Sequence, residues 1–121
     1  MKSILLVEDD PLIVEIYTRK LKQAGFKVQS VSDGEKTISV LKQGKFDLLV
    51  LDIVLPNLTG FEILQRIRRN EKLKNTKILV LSNLGQKTDI EKAEKFQVAR
   101  YLIKAHYTPS EVIKEIEKLL K

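Results

Sequence analysis

Apolar residues along this chain alternate between two spacings. Short continuous runs such as Ile4-Leu5-Leu6-Val7, Leu48-Leu49-Val50-Leu51 and Ile78-Leu79-Val80-Leu81 suit strands covered on both faces. Tyr101-Leu102-Ile103 is a shorter run of the same kind, and Phe26 to Val31 alternates at first, as an edge strand with one covered face does. Between the runs the spacing becomes helical. Asp10 is a candidate N-cap ahead of Pro11, with Ile13, Tyr17, Leu21 and Ala24 on one face, Leu12 and Ile16 beside them, and Gly25 as the stop. Ser32 with Glu35, Thr88 with Glu91, and Thr108 with Glu111 read as capping boxes opening three further helices. These carry Ile38 and Leu41, then Ile90, Ala93 and Phe96, then Val112, Ile113, Ile116, Leu119 and Leu120. One more helix runs from Gly60 to about Asn70, with Phe61, Leu64 and Ile67 inward.

Five strand–helix units in strict alternation predict parallel strands joined by right-handed crossovers. The expected fold is a doubly wound α/β three-layer sandwich, (βα)5, filling residues 1–121 as one domain. Placing the alternating second strand at an edge gives the order 2-1-3-4-5, with a topological switch point between strands 1 and 3.

Composition narrows the class. A hydrophobic share of 43% and a charged share of 31% describe a globular chain, and without Cys there is no disulfide or thiolate metal site. No run approaches a membrane span and no signal-peptide pattern follows Met1, so a cytoplasmic protein is expected. The net charge of +6 is uneven: the first sixty residues carry 8 basic and 8 acidic side chains, the remainder 14 and 8. Arg66, Arg68, Arg69, Lys72, Lys74 and Lys77 form the densest patch. It has no aromatic residue for base stacking and no reading helix. It is therefore read as a solvated face, and neither nucleic acid nor membrane is expected as a partner.

In a parallel sheet the strand ends of one kind share a rim. That rim would collect Glu8, Asp9 and Asp10 after strand 1, Asp52 after strand 3, Ser82 after strand 4 and Lys104 after strand 5. Ligands bind at such a switch-point crevice. Crowded carboxylates repel unless a cation sits among them, and an all-oxygen site suits Mg²⁺. One carboxylate can then act as a nucleophile toward phosphorus while the metal, Ser82 and Lys104 neutralise the transferring group. Singly, each residue has a plainer role: Asp10 a helix cap, Ser82 a loop hydroxyl, Lys104 a solvated charge, Tyr101 core, and His106 surface.

Ile4 to Pro11, and Leu49 to Gly60 with Pro56, resemble the opening and phospho-acceptor motifs of the receiver domains of bacterial response regulators, the CheY-like superfamily with a flavodoxin-like fold. The resemblance covers essentially the whole chain. It also fits the spacing, since Ser82 and Lys104 follow Asp52 by thirty and fifty-two residues. It implies that Asp52 accepts a phosphoryl group from a phosphohistidine on a sensor histidine kinase, or from a phosphotransfer protein or small phosphodonor. It also implies that Asp9, Asp52 and the Val54 backbone carbonyl ligate Mg²⁺, with Glu8 acting through water. Ser82 and Lys104 would hold the phosphoryl oxygens, and Tyr101 would be the aromatic switch of a face made by helix 4, strand 5 and helix 5. A stand-alone, monomeric switch acting on a downstream protein is the expectation. A receiver-fold interaction module that is never phosphorylated, or a phosphohydrolase with an Asp nucleophile, is the alternative.

Three departures from the family pattern stand out. Lys104 is followed by Ala105, where the family usually has proline after a cis bond. Cis before Ala costs ~2.5–4 kcal/mol, so a trans bond or local strain is expected. Gln97-Val98-Ala99-Arg100 replaces the usual Gly-Ala-acidic approach to strand 5. Val54 and Leu84, two residues past Asp52 and Ser82, are apolar and cannot orient a hydrolytic water. A phospho-Asp52 lasting hours is therefore expected.

Overall fold

The computed structural model describes residues 1–121. One parallel sheet has the order β2-β1-β3-β4-β5, formed by Lys27–Val31, Ser3–Val7, Leu48–Leu51, Ile78–Ser82 and Arg100–Ile103. The helices are α1 (Pro11–Gln23), α2 (Gly34–Gln43), α3 (Gly60–Arg69), α4 (Lys87–Glu94) and α5 (Pro109–Leu119), with a 3₁₀ turn at Lys104–His106. The doubly wound α/β architecture and its strand order are those the alternation predicts. The apolar runs of β1, β3 and β4 are buried because both their faces are covered: one core lies against α2, α3 and α4, the other against α1 and α5. β2 is one edge strand, with Gln29 and Ser30 exposed and Val31 buried; β5 is the other, and there only Leu102 is buried while Tyr101 and Ile103 are half-buried, because no strand lies beyond it.

Details of several helices differ from the pattern. Asp33, not Ser32, caps α2, because its carboxylate accepts the Glu35 amide at 2.8 Å and the Asn57 side-chain amide at 2.9 Å. α4 starts from Gln86, whose amide bonds the Asp89 carboxylate at 3.3 Å, so Thr88 lies inside the helix and not at its cap. The Thr108–Glu111 capping box forms as expected, and α3 has one that the pattern did not mark, between Thr59 and Glu62. On α1, Tyr17 and Leu21 are buried, but Ala24 lies past the helix end and is exposed, and Leu12 is 64% exposed at the first turn. Ile63, Leu64 and Ile67 are the buried residues of α3, whereas Phe61 is half-buried with the Lys92 ammonium 4.3 Å above its ring.

Two glycines bring helix ends onto the loop after β3. A Cβ at Gly60 would lie 2.5 Å from Ile53 Cα and 2.7 Å from the Asp52 carbonyl oxygen, and one at Gly34 would lie 2.2 Å from the Leu58 carbonyl oxygen. Both contacts are with backbone, which cannot step aside. Any side chain at either position would therefore displace the loop that follows Asp52.

Candidate functional site

The rim assembles by register. Val7 is opposite Leu51, and the ladder runs one step further, with the Asp52 amide on the Val7 carbonyl at 3.1 Å. Glu8 and Asp52 are therefore neighbours. Ser82 is opposite Ile103, so Lys104 emerges beside the end of β4. Sequence positions far apart converge here because every strand points the same way.

Lys104 closes the group. Its ammonium donates to Asp52 Oδ2 at 2.7 Å and also to Glu8 Oε1. All three side chains are largely withdrawn from water, at 14%, 7% and 3% exposure for Lys104, Asp52 and Glu8. The other Glu8 oxygen accepts the amides of Asp9 and Asp10 at 3.0 and 3.1 Å. Asp52 Oδ1 accepts the Val54 amide at 3.1 Å. Asp9 is exposed, yet it offers an oxygen to a set in which one carboxylate oxygen each from Glu8, Asp9 and Asp52 lies within 4.8 Å of the others. Asp10 sits apart from that set and caps α1, accepting the Leu12 amide at 3.0 Å.

Charge and burial compete here. Burial pushes the Glu8 carboxyl above its usual range and the neighbouring Asp52 charge adds to this. The Lys104 hydrogen bond, the Asp10 amide and the Lys104 charge pull the other way without prevailing. For Lys104 burial pulls the ammonium down, but hydrogen bonds and charge from Asp52 and Glu8 outweigh it and its pKa is raised. The direction for Lys104 follows from two carboxylates on one cation. Glu8 also moves up, chiefly because burial disfavours its charge, with the Asp52 charge adding a smaller push.

Ser82 and Tyr101 meet on one backbone unit. The buried Ser82 hydroxyl oxygen accepts the Leu84 amide at 3.3 Å, and the Tyr101 hydroxyl donates to the Leu84 carbonyl. Burial raises the Tyr101 phenol to about 12, with the charges of Asp89 and Asp52 adding. Nothing in the sequence marks the Leu84 backbone, since a peptide group is the same whatever its side chain. The Lys104–Ala105 bond is trans, as every peptide bond is, and the Ala105 amide is held by the Asn83 side chain at 3.1 Å. That bond stands where the family places proline, and the usual cis bond is not needed to aim Lys104 at Asp52.

A search of known families matches residues 4–117 to the response regulator receiver domain. The chain belongs to that family. Among curated relatives of this receiver domain, the DNA-binding dual master transcriptional regulator RpaA of Synechocystis is 39% identical over 89 residues, covering 74% of this chain and 37% of that protein. The chemotaxis protein CheY-3 of Vibrio cholerae is 29% identical over 120 residues, covering 98% and 92%. The chain spans about a third to a half of the length of most of these relatives, CheY-3 being an exception. Among solved structures, the non-phosphorylated HemR receiver domain of Leptospira biflexa superposes with a TM-score of 0.91 at 25% identity, covering 100% of this chain and 95% of that one. Vibrio cholerae CheY4 gives 0.90 at 25%, covering 99% of each.

Proposed function

We propose that this receiver domain is a phosphorylation-dependent switch in which Asp52 accepts the phosphoryl group. The observation that carries the reading is the Lys104 ammonium bridging Asp52 and Glu8 at a rim where three carboxylates converge. A structural ion pair would need one carboxylate per lysine. Two buried carboxylates on one ammonium, with the Asp9 carboxylate converging on them, leave negative charge that a further cation would balance.

The donor set fits Mg²⁺. It is all oxygen and hard, and it is few enough to leave positions for water and phosphate. Asp9, Asp52 and the Val54 carbonyl would hold the ion, with Glu8 acting through water. When bound, Mg²⁺ supplies positive charge to phosphate oxygens as they gain negative charge. The chain's own groups do the rest. One Asp52 carboxylate oxygen forms the bond to phosphorus as the donor's phosphorus–nitrogen bond breaks. The electron pair leaves on the imidazole nitrogen, which takes a proton from water. Lys104, already hydrogen-bonded to Asp52, donates to a phosphoryl oxygen, and Ser82 donates to another.

The output follows from the shared Leu84 unit. A Ser82 hydroxyl turned to the phosphoryl group releases the Leu84 amide, and the Tyr101 ring moves inward as that strap shifts. The face of α4, β5 and α5 then presents a different surface to a downstream protein. The donor is a sensor histidine kinase or phosphotransfer protein, and residues 1–121 act as a monomeric unit in the cytoplasm. No helix is long and apolar enough to cross a membrane.

Trapping the acyl phosphate tests the reading. A phosphohistidine donor with Mg²⁺ should leave one alkali-labile phosphate per chain, absent from Asp52→Asn. No label at all would instead favour a phosphorylation-independent interaction module, and continuous release of phosphate at high turnover a phosphohydrolase.

A further inference from the structure

Arg68, in the last turn of α3, lies within the run of basic residues that reads as a solvated face, but it does not belong to that face. It is half-buried, and its guanidinium donates to four backbone carbonyls: Phe96 at 2.6 Å, Thr76 at 2.8 Å, Lys74 at 2.9 Å and Gln97 at 3.2 Å. No carboxylate is its partner. Four of the five N–H donors that a guanidinium offers fix two loops to each other.

The acceptors lie around a strained residue. Gln97 has φ of 60°, in the left-handed region that glycine favours, and the other non-glycine residue with positive φ is Asn57, a type that tolerates it. The chain needs this step because α4 ends with the Phe96 and Gln97 amides on Ala93 and Glu94 carbonyls, while the Ala99 amide already joins the ladder at Ile78. The backbone must reverse within two residues. The conformation of Gln97 is set by the peptide planes on either side of it, whose oxygens are the Phe96 and Gln97 carbonyls. One guanidinium holds both.

We propose that Arg68 is a positioning residue that locks Gln97 in its left-handed conformation and thereby pins the end of α4 remote from Asp52. The opposite end of α4 follows Leu84, whose amide and carbonyl are held by the Ser82 and Tyr101 hydroxyls, the two groups that the phosphorylation reading sets in motion. α4 is thus fixed at one end and releasable at the other, and it pivots about the Arg68 clamp. This extends the proposed function and rests on it for the pivot, while the clamp itself stands independently.

Two measurements on the full chain separate these parts. The first is a double-mutant cycle in urea with Arg68→Met, Arg68→Lys and Gln97→Gly. Loss of Arg68 should raise the unfolding equilibrium constant by about tenfold or more in the parent chain, and by several-fold less when glycine occupies position 97. An equal cost in both backgrounds, within about twofold, would overturn the clamp. The second is amide hydrogen exchange with and without beryllofluoride and Mg²⁺. In the parent chain the changes should be confined to residues 83–90. In Arg68→Lys, which keeps charge but not the fork, they should spread through residues 92–98, and Gln97→Gly should restore the confinement. A parent-like pattern in Arg68→Lys would overturn the pivot. If beryllofluoride changes nothing in the parent chain, the phosphorylation reading fails and the pivot with it, and the urea cycle alone decides the clamp.

Discussion

Lys104 and Arg68 are two partly buried cations at opposite ends of the sheet, and they are held in contrasting ways. Lys104 sits between two carboxylates, Asp52 and Glu8; Arg68 sits in a cage of carbonyl dipoles. Burial depresses both. The carboxylates reverse that for Lys104, whose pKa ends up raised, whereas nothing pushes back for Arg68, whose pKa is lowered. Carboxylates serve any cation that arrives and can transfer their attention to it. Carbonyls oriented by two loops serve one guanidinium of fixed shape. On the proposed function, the end that exchanges partners is built from charge pairs, and the end that stays put is built from oriented backbone.

The largest expected effect comes from removing the exchangeable cation. Lys104→Met strands the Glu8 and Asp52 carboxylates beside each other in a site where they are 3% and 7% exposed. Stability in urea at neutral pH should fall by about 3 kcal/mol, and adding Mg²⁺ should restore much of it. Arg68→Met should cost about 2 kcal/mol by the same measurement and be unmoved by Mg²⁺. Equal responses of the two variants to the ion would erase the distinction between the two ends.

Kinetics sharpen it further. Val54 is 58% exposed at the lip of the site and offers no group to hold a water. Phospho-Asp52 should persist for hours, and Val54→Asn should shorten its life by roughly tenfold, a change of ~1.4 kcal/mol in the barrier. Decay of the parent phosphoprotein within a minute would contradict this.

The smallest effect concerns Tyr101. Tyr101→Phe loses one hydrogen bond to the Leu84 carbonyl, worth about 1 kcal/mol. Because the folded phenol titrates at about 12, above its ordinary value of 10, its contribution is complete below pH 10 and is lost as pH rises through 12. The difference in phenolate absorbance between the parent and Tyr101→Phe should accordingly rise near pH 12, and a rise near 10 would mean the phenol is freely solvated.

The two ends also differ in how much of them the sequence reveals. The site end is legible because parallel strands turn sequence order into spatial order. Apolar runs such as Leu48–Leu51 mark the strands, and whatever polar residue follows each run lands on one rim. That argument names Glu8, Asp52, Ser82 and Lys104 without any coordinates. The Arg68 end is not legible. Arg66 and Arg69 flank it and are exposed, and nothing in the type or spacing of Arg68 separates it from them. Its acceptors are carbonyls, which every residue carries. Capping fails for a related reason. Ser32 with Glu35 fits the capping pattern, but Asp33 takes the position because its two oxygens serve the α2 amide and Asn57 at once, and the second partner comes from the loop after β3. Leu12 fits a helical face by spacing alone but is 64% exposed in the first turn of α1, whereas Tyr17 and Leu21 further along the helix are buried.

Whether Asp52 accepts a phosphoryl group is read by intact-mass spectrometry after mixing the chain with a small acyl phosphate, run with Mg²⁺, with a chelator, and with Asp52→Asn in parallel. A single added phosphate is expected only in the parent chain with Mg²⁺. Phosphate incorporation that survives both chelation and Asp52→Asn, or none under any condition, would contradict it.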